Sequence, residues 1–152
     1  MISGYRTRQD PMIYRNAPKA IEWLCDVFGF EKHAIYAGEN NTILHSELTL
    51  GGGMIMVSTL QDSDYNRRFM KHPDEIGGAE THSVNLIVED ADVIYNRVKA
   101  AGGEIVLDIE DKHYGGRGFT CRDFEGHIWN IGTYDPWSFL RSEHRIDFQK
   151  LF

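Results

Sequence analysis

The sequence says nearly the same thing twice, and this repetition narrows the fold more than any single motif. A segment with helical spacing runs from Pro18 to Phe28 and stops at Gly29; another runs from Asp90 to Ala101 and stops at Gly102 and Gly103. Gly29 and Gly103 lie 74 residues apart, as do Gln9 and Ser83. Each helical segment follows a short apolar strand and precedes strands that close on a hairpin, Gly51-Gly52-Gly53 in the first half and Asp123-Phe124-Glu125-Gly126 in the second. The expectation is an α+β fold of duplicated βαβββ modules, about 9–60 and 81–134, forming a curved mixed sheet around a cleft.

Local signals agree with that division. Asn16 precedes a helix whose Pro18 sits in the first turn, where a missing N–H costs nothing, and Ile21, Leu24, Cys25 and Phe28 follow the i, i+3, i+4, i+7 rule of a buried stripe. In the second half Asp90 is the N-cap, and Tyr95, Val98 and Ala101 are the inner face. Residues 61–80 read as a polar linker between modules. Domain boundaries follow at 1–137 for a single domain, with 138–152 as an apolar tail that docks on the domain or on a second subunit.

Composition excludes several classes. With 23 acidic against 16 basic residues and a formal charge of -7, the chain lacks the basic face that nucleic acid needs. No apolar run is long enough to enter a membrane, and the N-terminal MISGYRTRQDP has no hydrophobic signal core. Two cysteines, Cys25 and Cys121, are too few for a disulfide framework, which points to a cytoplasmic protein.

Two stretches, MIYRNAPKAIEWLCDVFG at Met12 to Gly29 and TCRDFEGHIWNIGTY at Thr120 to Tyr134, resemble the glyoxalase/bleomycin-resistance group of the vicinal oxygen chelate superfamily. That group holds lyases, dioxygenases, fosfomycin-inactivating transferases and metal-free proteins that sequester a drug. The resemblance implies the cleft, a homodimer and, in metal-dependent members, four ligands from the first and last strands of each module. Carried onto this chain, those positions are Gln9, Met56 or Val57, Ser83 and Asn130. None is His, Asp or Glu, so no metal and no other cofactor is expected: four neutral donors offer a dication no charge against its desolvation.

The remaining cleft candidates come from strand alternation. In ILHSELTL, Leu44, Ser46, Leu48 and Leu50 should pack on a helix, leaving His45 and Glu47 side by side on the open face. Ser83, Asn85 and Thr120 should face the same way, Met54 and Met56 supply a soft wall, and Tyr114 in the loop KHYGGRG overhangs the mouth. His33, His72, His113 and His144 read as surface residues, and His82 as a strand-end residue. The site expected from sequence is therefore Gln9, His45, Glu47, Met56, Ser83, Asn85, Tyr114, Thr120 and Asn130, binding a small organic molecule without metal. The alternative is a lyase or isomerase that uses His45 and Glu47, or a shifted metal site, for acid/base work.

Overall fold

Both halves carry the same five elements in the same order in the computed structural model, which describes residues 9–139. Module one comprises β1 (Gln9–Tyr14), α1 (Ala17–Phe28), β2 (Glu31–Ala37), β3 (Ile43–Leu50) and β4 (Gly53–Thr59). Module two comprises β5 (Val84–Ile87), α3 (Ala91–Ala100), β6 (Glu104–Asp111), β7 (Arg117–Arg122) and β8 (Ile128–Gly132). Between them lie α2 (Asp64–Phe69) and a 3₁₀ turn at Pro73–Ile76, and α4 (Pro136–Phe139) follows β8.

The sheet comes as two four-stranded halves, β1-β4-β3-β2 and β5-β8-β7-β6, each with one parallel pair at its edge and antiparallel pairs beyond. The repeat holds to the residue in the parallel pairs: Pro11 faces Met56 in module one, and Asn85 faces Asn130 at the same offset in module two. This register selects Met56 over Val57 as the counterpart of Asn130; Val57 is buried toward the helix layer.

Local chemistry explains the helices. The Asn16 side chain accepts from the Lys19 N–H at 3.1 Å, and Gly29 closes α1 in the left-handed region at φ 86°. Asp90 caps α3 by accepting from Val93 N–H. The buried face of α1 is wider than its heptad-like stripe, adding Ala17, Ala20, Trp23 and Val27, while Cys25 is only half-buried. The reason is that α1 packs on its own sheet and also on the other module: Trp23 Nε1 donates to Ala101 O at 3.2 Å, and Phe28 lies 4.9 Å from Trp129 between ring centroids. The inner face of α3 is Ala91, Ile94 and Val98, with Tyr95 half-buried against Phe119 and Ala101 turned outward. One apolar core cluster thus runs through both modules.

Two expectations need correction. Leu44 is 61% exposed and Ile43 is buried instead, because the pairing of β2 with β3 slips between Tyr36 and Ala37 and inverts the alternation at the start of β3. His72, read as a surface residue, is buried beneath the linker, where it caps the 3₁₀ turn and meets module two. The expected docking tail lies outside the described residues from 140 onward; just before it, Trp137 is 74% exposed.

Candidate functional site

Helices α1 and α3 each pack against one face of the sheet of their own module. On module two, β7 and β8 are in register with Thr120 opposite Asn130, and β5 brings Asn85 alongside Asn130. Thr120 Oγ1 donates to Asn130 Oδ1 at 2.8 Å, and Asn130 Nδ2 donates to Ser83 Oγ at 2.8 Å. The result is a chain of three neutral side chains running from β7 across β8 to the residue just before β5. It borders an open cavity of about 480 Å³ that Asn85, Ile87, Leu107, Thr120, Asn130 and Tyr114 help to line.

The loop after β6 sets the rim of this cavity. Lys112 N–H donates to Gly116 O at 2.8 Å, and Gly116 sits at φ 75° where a Cβ would come within 2.7 Å of Tyr134 N. Only glycine allows that approach. Tyr114 is thereby held edge-on to Tyr134, with ring centroids 5.4 Å apart, and is 54% exposed.

On module one, His45 Nε2 lies 3.2 Å from Glu47 Oε1, with His33 Nε2 3.7 Å from the other oxygen of the same carboxylate. Tyr36 leans on His45 at 5.8 Å, and Met56 stands across from Glu47 in the β3–β4 register. His45 and Glu47 do not line the cavity of about 480 Å³. Within one chain, therefore, the expected residues form two surfaces: His45, Glu47 and Met56 on module one, and Ser83, Asn85, Tyr114, Thr120 and Asn130 on module two. Gln9 opens β1 opposite Met54.

Sequence reasoning missed a polar centre at the seam between the modules. Asp123, buried in the β7–β8 turn, accepts from Tyr14 Oη at 2.7 Å, Trp129 Nε1 at 3.0 Å, and the backbone N–H groups of Glu125 and His127. Burial first, and then Asp123, push the Tyr14 hydroxyl well above its ordinary value, so it stays a donor. Glu125 accepts from Arg15 N–H, Asn16 N–H and His72 Nε2, tying the same turn to the start of α1 and to the linker. His127 Nε2 is 2.9 Å from the Ile13 carbonyl and Nδ1 is 2.6 Å from Glu80 Oε1. A carbonyl can only accept, so Nε2 carries a proton, and the carboxylate at Nδ1 favours a second one. Burial opposes that charge, but Glu80, Asp123 and the Ile13 carbonyl together raise the imidazole above its ordinary value. Burial likewise pushes Glu80 up, and the His127 ring with Ile128 N–H brings it net below the usual carboxylate range. The available signal was the string Asp123-Phe124-Glu125-Gly126-His127, three ionisable groups on one turn between apolar strands.

Comparison with known proteins decides the family. The family described as Glyoxalase/Bleomycin resistance protein/Dioxygenase superfamily matches residues 11–131. The chain belongs to this superfamily. TioX from Micromonospora sp. ML1 is 31% identical, with 84% of this chain and 94% of that one covered at a TM-score of 0.64. The fosfomycin resistance protein FosX from Listeria monocytogenes is 17% identical, with 90% and 98% covered at a TM-score of 0.62, a likeness that shows fold alone. An uncharacterized protein of Mycobacterium tuberculosis H37Rv is 25% identical over 121 residues, 80% of this chain and 70% of the relative.

The superfamily's metal positions can be tested against the side chains that occupy them. Met56 offers a thioether, Ser83 a hydroxyl and Asn130 an amide already committed at both ends to Thr120 and Ser83. Such donors do not suit a divalent metal, which wants imidazole or carboxylate and a charge to offset desolvation. Among the described residues, no group of three His, Cys, Asp or Glu is placed to hold an ion elsewhere.

Proposed function

We propose that this chain is a small-molecule binding protein of the bleomycin-resistance/glyoxalase-like type that works without a metal, holding its ligand on the open face of module two. The observation that carries this reading is the Thr120–Asn130 hydrogen bond on the wall of a cavity of about 480 Å³, with Ser83 holding the Asn130 amide from outside that cavity. Two of the superfamily's metal positions hold Ser83 and Asn130, hydrogen-bonded to each other, which supports recognition of a ligand without a metal. The ligand is a mixed polar and apolar compound: its polar end exchanges hydrogen bonds with Asn85, Thr120 and Asn130, and its apolar part rests on Ile87, Leu107 and Tyr114.

A second copy completes the site in this reading. Leu107 and Tyr36 are 59% and 58% exposed on open faces of opposite modules, and pairing those faces across a homodimer would cover them and bring His45 and Glu47 to the ligand. No nucleic acid or membrane partner is proposed: the acidic balance disfavours the first, and among the described residues no helix is long and apolar enough to cross a membrane. The unpaired Cys25 and Cys121 favour a cytoplasmic setting.

A lyase or isomerase is the second reading, favoured by the His45–Glu47 hydrogen bond, an imidazole and carboxylate suited to moving a proton. Elemental analysis of untagged protein purified without chelator tests the choice. Far less than one equivalent of zinc, nickel, iron or manganese per chain is expected; near one equivalent overturns the metal-free reading and favours the enzyme. Sedimentation at micromolar concentration should give twice the 17.5 kDa chain mass, and a clean monomer would remove the second copy from the site.

A further inference from the structure

A second cavity, of about 390 Å³, opens where the edges of β1 and β5 meet beneath the linker. Its walls are chiefly apolar: Met12, Ile13, Leu60, Met70, Pro73 and Val84 contribute. Apart from the exposed His82, the charged and imidazole groups that also reach it are already engaged. Lys71 Nζ donates to Arg67 O, Glu80 is held by His127 and by Ile128 N–H, and His72 is held by Glu125 and by Asp74 N–H. His127 spends its second nitrogen on the Ile13 carbonyl. A charged ligand would lose its hydration here and, apart from the exposed His82 at the rim, find each charge already answered.

The rim adds an independent sign. Phe69 and Ile76 line the cavity yet stay 63% and 43% exposed, and α2, which carries Phe69, buries none of its own residues. These side chains lie over the opening with one side uncovered. A protein partner fits the spot poorly, since the surrounding linker is studded with exposed Asp62, Asp64, Arg67, Lys71 and Asp74 around a hole of small-molecule size. Among the half-buried lining residues, Ser83 has a donor to spare: it uses its oxygen to accept from Asn130, which leaves its hydroxyl proton for an acceptor.

We propose that this junction cavity is a second ligand site, separate from the open face of module two, for a neutral and mainly apolar small molecule bearing one hydrogen-bond acceptor. The molecule seats between Met12, Ile13 and Val84, covers Phe69 and Ile76, and takes the Ser83 proton on a carbonyl or ether oxygen. Because it bridges the β1 edge of one module and the β5 edge of the other, binding stabilises their junction.

The test is fluorescence titration of the full chain with 6-propionyl-2-dimethylaminonaphthalene, a neutral apolar probe with a single carbonyl. Saturable binding with a blue-shifted emission is expected. Ala79→Trp, which fills the cavity from an exposed wall position, should weaken it at least tenfold, and Ser83→Ala and Phe69→Ser each about threefold or more. Asn85→Trp, which blocks the open face of module two, should leave the titration within twofold. If Ala79→Trp lowers the melting temperature, Phe69→Ser decides alone, because its helix buries nothing that folding needs. Absence of saturable binding overturns the proposal, as does a titration unmoved by Phe69→Ser. Loss of binding in Asn85→Trp reassigns the probe to the open face, and affinity that falls as protein concentration rises assigns the cavity to a contact between copies; either result overturns the proposal without touching the reading of the open face.

Discussion

The two hairpin turns that close the sheets occupy equivalent places in the modules and do opposite things. In module one Leu50 pairs with Gly53 across Gly51 and Gly52, and a Cβ added at either central glycine would meet nothing within 4 Å. In module two the turn is longer, its Asp123 and His127 are buried, and it touches β1, α1 and the linker. Duplication supplied two copies of one backbone, but only one turn lands on the other module's edge. Polar groups placed there join the halves; the other turn faces solvent and needs only glycine's freedom at φ 55°.

The largest expected effect tests that asymmetry. Asp123→Ala strips the acceptor from the Tyr14 hydroxyl and the Trp129 indole, both buried, and from two backbone N–H groups. Leaving such donors unsatisfied should cost about 3 kcal/mol or more, read as a shift in urea midpoint at unchanged slope. Gly51→Ala, at the equivalent turn, pays only for a side chain in the left-handed region, about 1 kcal/mol. Equal losses in the two variants would mean that the module-two turn is no more than a loop.

Next in size is the His127–Glu80 pair, where the sign can be worked out. His127 is raised in the folded state, so its contribution is complete below the ordinary imidazole value of 6.5 and fades as pH climbs through the raised one. Glu80 is lowered, so its contribution is present above the ordinary 4.5 and fades as pH falls through the depressed value. Both terms are complete together only between pH 4.5 and 6.5. His127→Gln keeps a donor for the Ile13 carbonyl but loses the charge; it should cost about 2 kcal/mol inside that window and progressively less at alkaline pH. A uniform loss across the pH range would show that packing, not protonation, is what His127 supplies.

Much of this architecture was legible because the repeat, the caps Asn16 and Asp90, and the stop at Gly29 are local signals that tertiary contacts did not overrule. The faces of β3 were legible from alternation except at Leu44, where a bulge fixed by pairing with β2 shifts the phase. The seam was not legible. Nothing near Asp123 in the chain reveals that Tyr14, 109 residues away, will bring it a hydroxyl, and nothing near His72 reveals its partner Glu125, 53 residues on. Likewise the Thr120–Asn130 and Asn130–Ser83 hydrogen bonds depend on the register of β7 against β8 and on where the chain enters β5, which no local pattern gives.

The smallest effects compare the two open faces. Thr120→Val removes the donor to Asn130 Oδ1 with little change of shape and should cost about 1 kcal/mol of stability. His45→Ala breaks a pair whose imidazole side chain is 38% exposed, and exposed pairs contribute about 0–1 kcal/mol, so its melting temperature should stay close to wild type. Binding should not follow the same ranking. For a compound selected by thermal shift on the wild-type chain, Thr120→Val and Asn130→Ala should each weaken affinity roughly tenfold, about 1.4 kcal/mol. His45→Ala and Glu47→Ala should match that loss only if a second copy lays module one over the ligand. Calorimetry on all four variants, run over a wide range of protein concentration, separates the cases: a His45 effect that vanishes in the dilute sample means a site completed by a second copy. A His45 effect that persists in the monomer would bring the two faces together within one chain, and equal, negligible effects of Thr120 and Asn130 would remove the ligand from module two.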